Sequence, residues 1–370
     1  MDVLLNEEEE LLKSSVRDFL AAECPTSLVR EMEADERGYP PALWAQAANL
    51  GWQGLALPSE YGGSDSPLTH IGILLQEVGR AAAPLPLHCT ITTALTIADV
   101  GTAAQKQAVL PAVADGKMIL TWAAQEIDPH LTPDSVHTEA TPDGDGFVIN
   151  GEKRFVDNFN VADKCLVACR TAGGFSLFLV NTNSAGITQT LMPNMAGDRQ
   201  SRVVFNGVKV GRDALVGPEH LGWPILDMLL ERATALICAQ ITGATRKAVD
   251  MAIDYSKDRV AFGQPIGAFQ SIQHLLADIV TWVDGAELLT FEAIWRLSEG
   301  LPATAEVSSA KAFCNVRCQQ CLHHANQIHA GLSQIKDFDL NLWYRRASAW
   351  TMRLGTTFEH HRKIANAVLA

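Results

Sequence analysis

Three groupings of residue types in this sequence are able to do chemistry. The first is Arg259, Phe262 and Gln270, within DRVAFGQPIGAFQSIQH from Asp258 to His274. Together they offer a charged fork that matches phosphate, an aromatic surface and an amide. The second is Cys314, Cys318 and Cys321, followed by His323 and His324; thiolate and imidazole are zinc ligands. The third is His360-His361-Arg362, a catalytic or phosphate-binding combination.

The elements that carry these residues decide what each can be. Before Arg259, apolar residues recur at spacings of three and four (Ile237, Ile241, Ala244, Ala248, Met251, Ala252, Tyr255), which marks one helix face. After it, Ile272, Leu275, Leu276, Ile279, Trp282 and Val283 repeat the pattern. Gly263, Pro265 and Gly267 break the helix between them, because Pro lacks a donor and Gly costs backbone entropy. By spacing alone this is a turn between helices with an exposed Arg, and context must decide more. Cys314, Cys318 and Cys321 lie at i, i+4 and i+7, one stripe of a helix. Structural zinc sites draw ligands from loops or from two elements, so the stripe reads as small core residues. His360-His361-Arg362 reads as the polar end of the last helix, and Glu7 to Glu10 as a solvated helix face. The Gly-Gly of EYGGSD has no Lys and helix at P-loop spacing and reads as a turn. No GxSxG elbow supports a Ser-His-Asp hydrolase.

The 370 residues allow two or three packed domains, and 47% hydrophobic against 19% charged content indicates a large core. A net charge of −13 argues against nucleic acid or an anionic membrane as partner. No run of about 18 apolar residues is present to span a membrane. The acidic N-terminus resembles neither a signal nor a transit peptide, so a cytoplasmic location is expected. The eight cysteines read as reduced, mostly buried thiols.

Residues 1–118 carry helical periodicity, interrupted by the turn-rich WQGLALPSEYGGSD and by PLPLHC, which the prolines should hold extended. Residues 119–217 switch to short Val-, Ile-, Phe- and Thr-rich runs separated by PDGDG, NG and AGG, an antiparallel sheet or barrel. Residues 218–370 return to long periodic segments at 222–256, 270–298, 304–329 and 339–368, a four-helix bundle. The expected fold class is α+β and multidomain: an N-terminal helical domain, a middle antiparallel β-barrel domain and a C-terminal four-helix bundle.

In that order, WAQAANLGWQGLALPSEYGG, GFVINGEKRFVDNFNVADKCLVACR, YSKDRVAFGQPIGAFQSIQHLLADI and QIHAGLSQIKDFDLNLWYRRA resemble the marker segments of the acyl-CoA dehydrogenase family. The resemblance covers nearly the whole chain. It implies a flavoenzyme that oxidises an acyl-CoA thioester across its α and β carbons. A carboxylate takes the α proton, the flavin takes the β hydride, and an electron-transfer flavoprotein accepts the electrons. It also implies FAD shared between subunits. On that template Arg259 resembles the pyrophosphate-binding Arg, Phe262 the aromatic beside the dinucleotide and Gln270 the next polar contact. Gln327 and Gly331 in QIHAG resemble the QxxGG pair, where Gly lets backbone approach phosphate.

The other half of the template is altered. In place of Thr-Glu-Pro and Gly-Ser-Asp along the flavin stand Gln125-Glu126-Ile127-Asp128-Pro129, with no Gly-Ser-Asp following. In place of Trp-Ile-Thr stand Phe155-Val156-Asp157; an ionised Asp cannot donate to the flavin as Thr can, and opposes its reduced anion. The two positions of the family's catalytic carboxylate hold Leu354, before Gly355-Thr356, and Ala233, before Thr234. Glu231 is near the second, but two helical residues turn the chain by about 200°. Loss of a positioned base costs about 10²- to 10⁴-fold. The resemblance therefore extends to the second subunit of bacterial α₂β₂ members that act on CoA thioesters of steroid side chains and similar bulky groups. Such a subunit has no catalytic residue of its own, binds no metal, and completes the FAD site of a base-containing homologue. The alternatives are a self-sufficient homotetramer using Glu231 as base, or a flavin-free scaffold or CoA-ester-binding protein.

Overall fold

The computed structural model describes residues 4–369. Helix α1 (Glu7–Glu23) starts on a capping box: the Asn6 side chain accepts the Glu9 N–H and the Glu9 carboxylate accepts the Asn6 N–H, both at 2.9 Å. Then come α2 (Thr26–Ala34), α3 (Pro41–Asn49), α4 (Leu68–Arg80), α5 (Leu87–Val100) and α6 (Ala103–Ala114). The sequence pattern has no counterpart of α2. It is nine residues long, enters from Pro25 without a side-chain cap, and buries only Val29 and Met32. The extended reading of PLPLHC is corrected in part. Pro84 to Pro86 stay outside a helix, but Leu87, His88 and Cys89 form the first turn of α5. Proline is disfavoured in a helix interior but not at the position before one.

The middle region is one sheet of β1 (Leu120–Ala123), β2 (Glu139–Asp143), β3 (Gly146–Asp157), β4 (Lys164–Thr171), β5 (Gly174–Asn181), β6 (Ile187–Met192), β7 (Gln200–Gly211) and β8 (Leu215–Val216). The strands run β6-β7-β3-β2-β4-β5-β8, with β1 also on β4. Pairing is antiparallel except for β1 and β2 against β4. Strand β4 is buried on both faces, and its period of two sorts it. Leu166 and Ala168 face the helices, whereas Cys165, Val167 and Cys169 join Phe147, Ile149, Phe178 and Phe205 in a second core inside the sheet.

The bundle begins with α7 (Gly222–Asp258), the 37-residue helix on which the molecule is assembled. A two-stranded hairpin of β9 (Val260–Ala261) and β10 (Gln264–Pro265) leads to α8 (Gln270–Ser298). Next come α9 (Thr304–Phe313), a π turn over Cys314–Cys318, and α10 (Gln319–His329). The expected last helix is two, α11 (Leu340–Thr351) and α12 (Thr357–Leu369). They are parted by a turn with positive φ at Leu354 (59°) and Gly355 (105°). That turn is held by partners distant in sequence: the Lys311 ammonium donates to Thr351 O at 2.8 Å, and Asn315 Nδ2 to Gly355 O at 3.2 Å. His360 Nε2 donates to Leu354 O at 2.8 Å. His360 is therefore buried, not part of a polar helix end, and burial lowers its pKa to about 4; His361 and Arg362 are exposed as expected. Where α7 crosses α4, Gly243 lies against the Gln76 carbonyl and Gly79 against that of Gln240, so a Cβ at either would collide with backbone. All eight cysteines are free and buried, Cys314, Cys318 and Cys321 among them in the bundle core. No helix among the described residues is long and apolar enough to cross a membrane.

Candidate dinucleotide site

The hairpin after α7 turns on Phe262 and Gly263, both at positive φ (55° and 82°). Two-residue hairpin turns demand that geometry, and for a Phe it is strained. Its ring is 96% exposed and lies edge-on to Phe269 at 6.1 Å. The Arg259 backbone is fixed: its N–H donates to Tyr255 O at 2.9 Å, and its carbonyl accepts from Ile266 at 2.8 Å. The side chains of Arg259, Gln270 and Gln327 are exposed and have no hydrogen-bond or ion-pair partner among the described residues. The hairpin and the QIHAG turn are joined by Tyr255 stacked on His329 at 4.4 Å. His329 is buried, and that burial depresses its pKa. A Cβ on Gly331 would meet nothing within 4 Å, so the space it leaves is not used by this chain. Beside it Ala330 has φ 52° and ψ −138°, a conformation suited to glycine. A guanidinium, two amides, an aromatic ring and an open backbone turn are thus presented outward, a set whose chemistry fits a dinucleotide.

The segment that should lie along a flavin within this chain is built differently. Glu126 is buried, and its Oε1 pairs with the fully buried Lys153 ammonium at 2.8 Å. The same carboxylate accepts the N–H groups of His137 (2.8 Å) and Thr138 (2.9 Å). Burial opposes its charge, but Lys153 and these donors outweigh it and hold the carboxyl below its usual range. Gln125 Nε2 donates to Asp128 O, and His130 Nδ1 contacts Glu359 at 2.9 Å, tying this loop to α12.

Asp157, at the end of β3, is consumed by an ion pair. Its Oδ1 accepts from Arg353 Nη1 at 3.2 Å and from Gln200 Nε2 at 2.8 Å. Arg353 Nη2 reaches both carboxylate oxygens of Asp198 at 2.7 Å, and Trp350 Nε1 donates to the same group at 3.1 Å. Burial disfavours the Asp198 charge, but Arg353 beside it keeps the carboxyl below its usual range. Around these groups remains a cleft of only about 60 Å³, against about 300 Å³ or more for ordinary ligand pockets.

The two positions expected to carry a base hold none. Leu354 sits in the turn clamped by His360, and Ala233 is buried with its carbonyl accepting from His88 Nε2 at 2.9 Å. Burial lowers the pKa of His88, which lines the cleft. Glu231 is absent from the cleft lining; its charge acts instead on Asp227, one turn earlier on the outer face of α7. Sequence reasoning missed Arg353, Asp198 and His88. None has a local signal, because Arg353 meets Asp157 across 196 residues and Asp198 across 155.

Comparison with known proteins is consistent over the full length. Family models match residues 6–117 (acyl-CoA dehydrogenase, N-terminal domain), 130–208 (middle domain) and 220–369 (C-terminal domain). The probable acyl-CoA dehydrogenase YngJ of Bacillus subtilis is 28% identical, covering 100% of both chains. Among solved structures, a variant of the Tcur3481-Tcur3483 steroid ACAD is 27% identical with a TM-score of 0.89, covering 98% of each chain. The ChsE4-ChsE5 complex from Mycobacterium tuberculosis shares the fold, with a TM-score of 0.93 at 24% identity over 100% of this chain and 99% of that one.

Proposed function

The chain belongs to the acyl-CoA dehydrogenase family of FAD-dependent oxidoreductases acting on CH–CH bonds, and from that premise we propose that it is the base-lacking subunit of a heteromeric member. It lends Arg259, Phe262, Gln270, Gln327 and Gly331 to FAD bound by a homologous, base-containing partner in an α₂β₂ assembly. The observation that carries this reading is the contrast between its two half-sites. The outward half keeps its polar side chains without partners among the described residues, whereas the inward half is closed by Asp157, Arg353 and Asp198. When bound, FAD supplies the hydride acceptor. This chain's part is to grip the phosphates with a guanidinium carried on a fixed backbone turn and to wall the adenine side with Phe262. It moves no proton, since Leu354 and Ala233 have nothing to move one with. The 27%-identical relative is a steroid ACAD, which favours a bulky, steroid-type acyl-CoA as substrate. An electron-transfer flavoprotein as acceptor is the family's expectation. The homotetramer using Glu231 and the flavin-free scaffold are the rival readings, and the position of Glu231 outside the cleft weighs against the first.

Co-expression with a base-containing homologue tests this. The complex should be yellow and oxidise acyl-CoA, with FAD in a ratio of one per heterodimer. The isolated chain should be colourless and inactive. An isolated chain with stoichiometric FAD and full turnover overturns the proposal, and a colourless homo-oligomer that captures no such partner favours the scaffold.

A further inference from the structure

Helices α1, α4, α7 and α11 line a second, open cavity of about 300 Å³, within the range of small-molecule sites. It shares no residue with the cleft around Asp157. One wall is apolar, with Leu20, Met251 and Trp343. The Trp343 ring is fixed there by its Nε1, which donates to Arg80 O at 2.9 Å.

The charged groups on the other wall do not balance. Arg17 is forked onto the buried Glu77, Nε to Oε2 at 2.9 Å and Nη2 to Oε1 at 2.7 Å. Arg80 Nη2 pairs with Asp250 at 2.7 Å. Asp339, the other carboxylate in the lining, is held by Arg30 at 3.0 Å and by the Thr26 hydroxyl at 3.2 Å. Both carboxylates are therefore engaged, while Lys247 has no carboxylate partner among the described residues. Its ammonium lies 5.8 Å from the centre of the Trp343 ring. The Nη1 groups of Arg17 and Arg80 also make no hydrogen bond among the described residues. In a chain of net charge −13, this is a local reversal of sign over an apolar floor, the arrangement that selects an amphipathic anion.

We propose that this cavity binds a small organic carboxylate with a short apolar tail. The carboxylate lies on Lys247, with Arg17 and Arg80 at its flanks. The tail lies along Leu20, Met251 and Trp343. A single unmatched ammonium suits a monoanion, and the apolar wall distinguishes such a ligand from inorganic phosphate.

Calorimetric titration of the full chain in its complex provides the test, with octanoate as probe, octanamide as its neutral counterpart and inorganic phosphate as the head group alone. Octanoate should bind saturably, and both controls should bind about tenfold or more weakly. Lys247→Met keeps the stem but removes the charge, and should weaken octanoate about tenfold or more. Met251→Glu, which sets a carboxylate in the apolar wall, should do the same with Lys247 intact. No saturable octanoate binding, equal binding of octanamide or phosphate, or undiminished binding in both variants overturns the proposal. The last result would place octanoate elsewhere in the complex.

Discussion

Replacing Arg353 with Met removes the cation that closes the inward half-site. Asp198 loses both of its 2.7 Å bonds and keeps Trp350 Nε1; Asp157 loses one at 3.2 Å and keeps Gln200. Breaking one side of a buried ion pair costs about 3–5 kcal/mol. The two carboxylates are 23% and 24% exposed, so water relieves part of this, and a loss of about 2–3 kcal/mol is expected at neutral pH. The pH dependence has a definite sign. The carboxyl of Asp198 is held below its unfolded value, so its contribution is present above about pH 4 and is lost as the pH falls through the depressed folded value. In the variant the largest influence favouring the Asp198 charge is gone; Trp350 Nε1 and the more distant Arg346 remain, and burial pushes the carboxyl toward its neutral form. The stability gap between wild type and variant should therefore be widest at neutral pH and close in acid. Urea unfolding followed by tryptophan fluorescence, repeated from about pH 7 to about pH 3, reads both quantities. Adding Asp198→Asn to Arg353→Met should recover part of the loss, because the stranded charge is gone. A variant as stable as wild type at neutral pH, or a gap that does not change with pH, refutes the ion-pair closure of this half-site.

The outward half and its surroundings give three more expectations. Arg259→Ala should weaken FAD retention by the complex about 10- to 100-fold, the worth of a charge-assisted phosphate contact, with turnover at saturating FAD little changed; flavin release on dilution measures it. Ala330→Gly relieves a conformation suited to glycine and should raise stability by about 1 kcal/mol, seen as a higher urea midpoint. Glu359 raises the pKa of His130, chiefly through their hydrogen bond. The tie between the 127–132 loop and α12 is therefore complete below about pH 6.5 and weakens as pH rises through the elevated folded value. Protection of the loop amides, read as exchange relative to the unstructured rate at each pH, should fall between about pH 6 and 8, and Glu359→Gln should remove that fall.

The sequence by itself determined the texture of the chain and set Arg259, Phe262 and Gln270 around one break between two long helices. Spacings of three and four, and of two, separate helices from strands because each secondary structure turns side chains through a fixed angle. The break after α7 was legible as a turn, though not as a hairpin, because Gly and Pro act locally, and so was the core placement of the cysteine stripe. The short helix α2, the helical start within PLPLHC and the break at 352–356 were not. The first has too few apolar positions. The second depends on the residues after the prolines, and the third is held by Lys311, Asn315 and His360. Only the tertiary structure decided the fate of Asp157. Sequence showed a carboxylate where a hydroxyl was expected, a liability on its face. Packing brings Arg353 and Asp198 to it from 196 and 41 residues away, and turns it into one end of an ion-paired closure. No local pattern encodes such a contact, because it exists only once β3, the segment before β7 and the end of α11 have been packed together.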